Sequence, residues 1–159
     1  MVLFLSKAKY VFDTNVFINM QRHYPVDVLP SLWEKISAFI EDGLVVSCDE
    51  VFDELSIADD AMKEWAKQRK KAFIASGMDV QHLVRTILTT HSELLTGTKK
   101  ANGADPFVIA HAKLKGRILV SDETRAGNGQ PPKIPNVCEA YGVQVIKFME
   151  FMRREHIQL

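Results

Sequence analysis

Tyr10-Val11-Phe12-Asp13-Thr14-Asn15-Val16-Phe17-Ile18 carries the strongest structural signal in the chain. A short aromatic and β-branched run ends in polar residues that cap helices, so it reads as a strand passing straight into a helix. Downstream, Leu29 to Asp42 places apolar residues at Leu32, Ile36, Phe39 and Ile40, with Pro30 near its start and Gly43 just past its end. That spacing predicts a helix. Leu44, Val45 and Val46 then form a continuous apolar triplet up to Ser47, the pattern of a strand covered on both faces. Glu50 to Leu55 opens another helix. Met62 to Ala75 reads as a charged amphipathic helix, with Asp59 and Asp60 as caps and Trp65, Ala66, Phe73 and Ile74 on its buried side.

Val80 to Thr90 carries Leu83, Ile87 and Leu88 on one stripe and predicts a further helix, followed by a polar loop from Thr96 to Ala104. Pro106 is placed to start the next helix. Phe107 to Leu114 is apolar on nearly every side, which marks a central buried helix ended by Gly116. Ile118-Leu119-Val120 is a buried strand ending at Ser121-Asp122-Glu123. Val143 to Ile146 is another, before a polar C-terminal helix. The Gly and Pro cluster from Ala126 to Pro132 reads as a flexible loop. Strands alternating with helices imply an α/β fold, a three-layer sandwich whose central parallel sheet of about four to five strands is flanked by helices.

Composition narrows the functional classes. At ~100 to 200 residues per domain, 159 residues make one domain spanning 1–159, with no linker or internal repeat. Twenty Lys+Arg against twenty Asp+Glu exclude a strongly basic duplex-binding footprint, so any nucleic-acid contact must be local or metal-mediated. Cys48 and Cys138 form no C-x-x-C pair, which reads as two reduced thiols in a cytoplasmic protein and leaves zinc no Cys cluster. The longest apolar run, Met1 to Leu5, is far below the ~18 residues of a membrane span. No G-x-x-x-x-G-K-[ST], G-x-S-x-G or H-E-x-x-H occurs, and the five histidines show no close ligand pair along the sequence.

In an open parallel sheet, sites form outside the carboxyl ends of the strands, which gives weight to acids placed there. Asp13 ends the first strand, and Asp122 and Glu123 end Ile118–Val120. Asp105 opens the helix feeding that strand, and Glu54 lies on the helix leaving Val45–Val46. Each alone has a structural explanation: Asp13 as a helix cap, Asp105 with Pro106 as a helix start, Glu54 as a solvated helix residue, Asp122-Glu123 as a turn. Their joint placement is the informative feature. Convergent carboxylates repel unless a hard cation neutralises them, and Mg²⁺ or Mn²⁺ suits such an all-oxygen site.

Val11–Asn15, Glu50–Leu55, Gly103–Ala110 and Leu119–Glu123 resemble, in order, the four acidic motifs of the PIN-domain ribonucleases. The resemblance covers essentially the whole chain. Its first and third motifs are specific, the second is weak in isolation, and the whole looks most like a PIN-like subfamily of bacteria and archaea akin to the VapC toxins. It implies hydrolysis of RNA phosphodiester bonds by a metal-activated water, with Asp13 and Asp105 as the firmest Mg²⁺ or Mn²⁺ ligands. In the second motif the family's glutamate precedes a late leucine, which selects Glu54 over the nearby Glu50 and Asp53. In the fourth, a hydroxyl residue, a variable residue and an acid align with Ser121, Asp122 and Glu123; Asp122, directly after the strand, remains an alternative to Glu123. Thr14, Asn15 and Ser121 are expected to orient the carboxylates, or to act as helix caps.

Implied partners are RNA and, since many relatives are toxins of toxin–antitoxin pairs, an antitoxin; a homodimer is a further expectation. Setting aside four metal-balanced carboxylates leaves 20 basic against 16 acidic residues. Lys99 and Lys100, just before Asp105, are the expected phosphate contacts. The cluster Lys67, Arg69, Lys70 and Lys71 reads as a solvated face, and His111 as packed or hydrogen-bonded. Two other readings compete. A haloacid-dehalogenase-like phosphohydrolase would use Asp13 as nucleophile, yet Asn15 stands where its second Asp is wanted. A PIN-like binding module with a weak metal site would keep the fold without the chemistry.

Overall fold

The structure, a computed structural model, describes residues 7–95 and 103–159. Its centre is β1 (Tyr10–Phe12), three side chains with no exposure at all. Burial on both faces demands a neighbour on each edge and a cover on each side. Parallel pairing supplies the edges: Tyr10 is in register with Val45 of β2 (Val45–Cys48) and with Ile118 of β4 (Ile118–Val120). With β3 (Phe73–Ile74) and β5 (Val145–Ile146) outside these, the order is β3-β2-β1-β4-β5, all parallel.

Helices cover both faces: α1 (Thr14–His23), α2 (Pro30–Glu41), α3 (Asp49–Ala58), α4 (Asp60–Lys67), α5 (Met78–Thr90), α6 (Asp105–Lys115), α7 (Ile134–Tyr141) and α8 (Phe148–Arg154). Tyr10 and Phe12, two residues apart and so on one face of the sheet, both meet Phe151 of α8 edge-to-face, at 4.8 and 5.0 Å between ring centroids. The Tyr10 hydroxyl donates to Glu155 Oε2 at 2.7 Å, so its polar end is satisfied in the core. The aromatic chain continues from Phe12 through Phe17 and Trp65 to Trp33. Helix α6 packs across β1, β2 and β4, and its buried Val108, Ile109, Ala110 and Ala112 confirm the central helix expected from its all-round apolarity. The result is the α/β, three-layer, all-parallel architecture read from the sequence.

One local expectation fails. The helix predicted over Met62–Ala75 stops at Lys67, and Phe73–Ile74 is instead the strand β3. The helical spacing of Trp65, Ala66 and Phe73 is real, but the outer edge of β2 offers unpaired backbone at Ser47 and Cys48. Phe73 and Ile74, both good strand formers, pair with it. Asp59 does cap α4, accepting from Met62 N at 2.8 Å. Helix α7 was unanticipated, although Pro135 near its start and left-handed Gly142 at its end bracket it in the usual way. The segment read as a flexible loop is pinned at Ala126, whose N–H donates to Asn136 Oδ1 at 2.9 Å and whose carbonyl accepts from Asn136 Nδ2 at 3.1 Å. Among the described residues, no helix is long and apolar enough to cross a membrane.

Phe151 is the shared partner of Tyr10, Phe12, Phe39 and Phe148. Phe151→Ala is expected to lower unfolding stability by about 3–5 kcal/mol in urea denaturation. A loss under about 1 kcal/mol would show that α8 is peripheral to the core.

Candidate functional site

The chain builds β1, β2 and β3 outward on one side and then returns to place β4 on the other side of β1. The carboxyl ends of β1 and β4 therefore flank the point where strand order reverses, the place in such sheets where a crevice opens. Asp13 follows β1 directly and stands at the cap position of α1. Its Oδ1 accepts from Thr14 N at 2.7 Å, its Oδ2 accepts from Ser121 Oγ at 3.0 Å, and its own N–H donates to Val120 O at 3.0 Å. Asp13 is 2% exposed and Asp105, the first residue of α6, is 6% exposed. Ala104, and not Asp105, occupies the cap position of α6, so capping does not account for this acid.

Glu54 reaches the same place from α3. Its Oε1 accepts from Ala104 N at 2.8 Å and its Oε2 accepts from the Thr14 hydroxyl. Glu123 completes the group, its Oε2 accepting from Ile134 N at 3.0 Å at the start of α7. Asp13, Glu54, Asp105 and Glu123 all line one cleft of about 460 Å³. Beneath it lies Cys138, whose thiol is pushed up to about 12 by burial and by the negative charges of Asp13 and Glu123. That thiol is inert at neutral pH.

Thr14 and Ser121 touch Asp13 or Glu54 directly, and Asn15 touches the turn that carries Glu123. Ser121 Oγ joins Asp13 to the Glu123 amide, which donates to it at 3.3 Å. Asn15 Oδ1 accepts from Asp122 N at 3.1 Å and fixes the turn that carries Glu123. Lys147 Nζ holds the same turn from below by donating to the carbonyls of Asp122 and Glu123, both at 2.9 Å.

Neighbouring acids go elsewhere. Asp122 does not line the cleft: its Oδ1 accepts from Phe148 N at 2.9 Å, satisfying the first amide of α8, and its Oδ2 accepts from Asn19 Nδ2 at 3.3 Å. Glu50 turns away to Ser76, and Asp53 is exposed. The Lys67–Lys71 cluster is engaged on its own surface. Lys67 pairs with Glu64, Arg69 pairs with Glu41 and stacks on Trp65, and Lys70 pairs with Asp49. Lys99 and Lys100 lie outside the described residues. A residue that sequence reasoning missed is Arg22, which lines the cleft from α1. Its spacing from Asn15, Ile18 and Asn19, which line the same wall, was the signal available.

The donor set is all oxygen, comes from four elements, and concentrates negative charge in a recess. It fits a hard divalent cation such as Mg²⁺ or Mn²⁺ and gives a soft metal no thiolate or imidazole.

The family described as "Domain of unknown function (DUF4411)" matches residues 10–159. No curated protein matches the chain significantly. Among solved structures, the chain resembles the crystal structure of FitAcB from Neisseria gonorrhoeae, with 18% identity over 86% of this chain and 96% of that one and a TM-score of 0.50. It also aligns with VapBC2 from Rickettsia felis bound to a DNA fragment from their promoter, with 14% identity, 87% and 98% coverage and a TM-score of 0.48. The fold is PIN-like.

The two roles assigned to the adjacent acids separate in a stability measurement. Asp122→Ala is expected to cost about 1 kcal/mol, as loss of a helix cap does, read from the urea midpoint. An unchanged midpoint would refute the capping role.

Proposed function

The chain belongs to the DUF4411 family, and from that premise we propose that it is a metal-dependent ribonuclease acting as a single PIN-like domain. The observation that carries this reading is the convergence of Asp13, Glu54, Asp105 and Glu123 on one cleft at the switch point of the sheet. The resemblance of the four motifs to those of PIN-domain ribonucleases points to RNA as the substrate class.

Asp13 and Asp105, both buried, would be the principal holders of Mg²⁺ or Mn²⁺, with Glu54 and Glu123 completing the set. A cation bound there would make its water more acidic than bulk water and would stabilise charge developing on the phosphate. The protein's own contribution is positioning. Ser121 and the Thr14 amide hold both oxygens of Asp13, Ala104 N and Thr14 Oγ1 hold both oxygens of Glu54, and Ile134 N holds one oxygen of Glu123. Carboxylates fixed in this way need little reorganisation when charge develops beside them. Arg22 adds a positive charge to the wall, toward which a substrate phosphate is drawn.

An antitoxin partner is part of the same proposal: a cationic side chain inserted at the carboxylate edge would compete with the metal. The phosphohydrolase reading gains no support. Asn15, standing where a second Asp would be wanted, spends its side-chain oxygen on the Asp122 amide.

The test is cleavage of a labelled single-stranded RNA by purified protein with Mg²⁺, Mn²⁺ or EDTA, beside folded Asp13→Asn and Asp105→Asn preparations. Metal-dependent cleavage that falls about 100-fold or more in each variant is expected. Absence of cleavage with every metal, together with absence of metal binding by calorimetry, would overturn the nuclease reading in favour of a binding module.

A further inference from the structure

A second group of potential ligands lies apart from the acidic cleft, toward the β3 side of the sheet. Cys48 ends β2, Glu50 stands in the first turn of α3, and His111 projects from the middle of α6. Each offers one ligand atom, and the three atoms lie within 4.8 Å of one another. Ser76, just past β3, joins them: its hydroxyl donates to Glu50 Oε2 at 2.8 Å and stands 3.0 Å from His111 Nε2. None of these residues lines the acidic cleft.

Two simpler roles fit poorly. A nucleophile must be reachable, and Cys48 is 0% exposed. A cysteine used only as a small apolar core residue needs apolar neighbours, yet this sulfur has a carboxylate and an imidazole around it. The donors themselves discriminate among cations. One sulfur, one imidazole nitrogen and one carboxylate oxygen suit a borderline cation of the zinc type and suit Mg²⁺ or Ca²⁺ badly. The sulfur stands at the cap position of α3; burial above all, together with the Glu50 carboxylate, pushes its thiol well above the ordinary range, and the Val51 and Glu50 amides at the start of the helix oppose that only in part, so the metal itself must displace the proton.

We propose that Cys48, Glu50 and His111 form a second metal site, selective for Zn²⁺ or a similar borderline cation and distinct from the acidic cleft. Binding forms a bond from the Cys48 sulfur to the metal and releases the thiol proton to solvent. Three protein ligands leave a fourth position for water, reached past the half-buried Glu50. The occupied site would tie the end of β2 to α3 and α6, the two helices that bring Glu54 and Asp105 to the cleft. It stands independently of the nuclease reading.

Cobalt provides the test, because a thiolate bound to Co²⁺ gives a charge-transfer absorption that oxygen ligands do not. Full-length metal-free protein titrated with Co²⁺ is expected to develop that band to one equivalent and to lose it when Zn²⁺ displaces the cobalt. The Asp13→Asn/Asp105→Asn double variant should keep the band, and Cys48→Ser should abolish it. His111→Asn and Glu50→Gln should weaken Zn²⁺ binding about 10- to 100-fold or more, each with circular dichroism confirming the fold. Glu50 is half-buried, so its variant remains informative if Cys48→Ser does not fold; Zn²⁺ should then raise the melting temperature of the native protein and not that of Glu50→Gln. Absence of the band in native protein, its persistence in Cys48→Ser, or Zn²⁺ binding that depends only on Asp13 and Asp105 would overturn the proposal.

Discussion

A carboxylate buried to 2% exposure is costly unless its oxygens are hydrogen-bonded, and Asp13 meets that demand by joining three elements at once. Its own amide closes the ladder between β1 and β4, its Oδ1 takes the first amide of α1, and its Oδ2 takes the hydroxyl that ends β4. The same bonds that make the acid tolerable fix where α1 begins and where Ser121, and through it Glu123, must lie. Removing the charge would leave this geometry with less to hold, which is why the cleft and the fold cannot be described separately.

Acids only a few residues apart are sorted by the elements they face. Glu50 and Glu54 sit one helical turn apart on α3, yet Glu54 meets Ala104 and Thr14 while Glu50 meets Ser76. Asp122 and Glu123 are adjacent, yet one serves the start of α8 and the other the cleft. Helix α3 thus stands between two clusters of different chemistry, one entirely of oxygen donors and one mixing sulfur, nitrogen and oxygen.

The strands of the central sheet were legible because β1, β2 and β4 are runs of apolar residues ended by polar ones, a local pattern. Helices α2 and α6 were legible for the same reason, through the spacing of Leu32, Ile36 and Ile40 and the unbroken apolarity of Phe107–Leu114. Strand β3 was not, since two residues carry no periodicity and their pairing is decided by a β2 edge that the sequence does not display. Among the acids, Asp13 and Asp105 stood out by position. Glu54 was separable from Glu50 and Asp53 only through the family's motif, and the same motif pointed to Glu123 while leaving Asp122 open, since the direction each side chain takes from a turn is not written in the sequence. The grouping of Cys48 with His111 had no signature at all, because strand-to-helix crossovers separate the two along the chain.

The contact of Tyr10 and Phe12 with Phe151 has a temporal meaning as well as a packing one. It joins the first strand to the last helix, and the Tyr10–Glu155 hydrogen bond spans 145 positions. Loop-closure entropy must be met before such a contact stabilises anything. During synthesis, Tyr10 and Phe12 therefore lack their Phe151 contact until α8 has left the ribosome, and the pairing of β1 with β4, which brings Asp13 beside Ser121, cannot form before residue 120 is made. The cleft therefore cannot assemble until β4 and the start of α7 have been made, a timing set by the order of the strands.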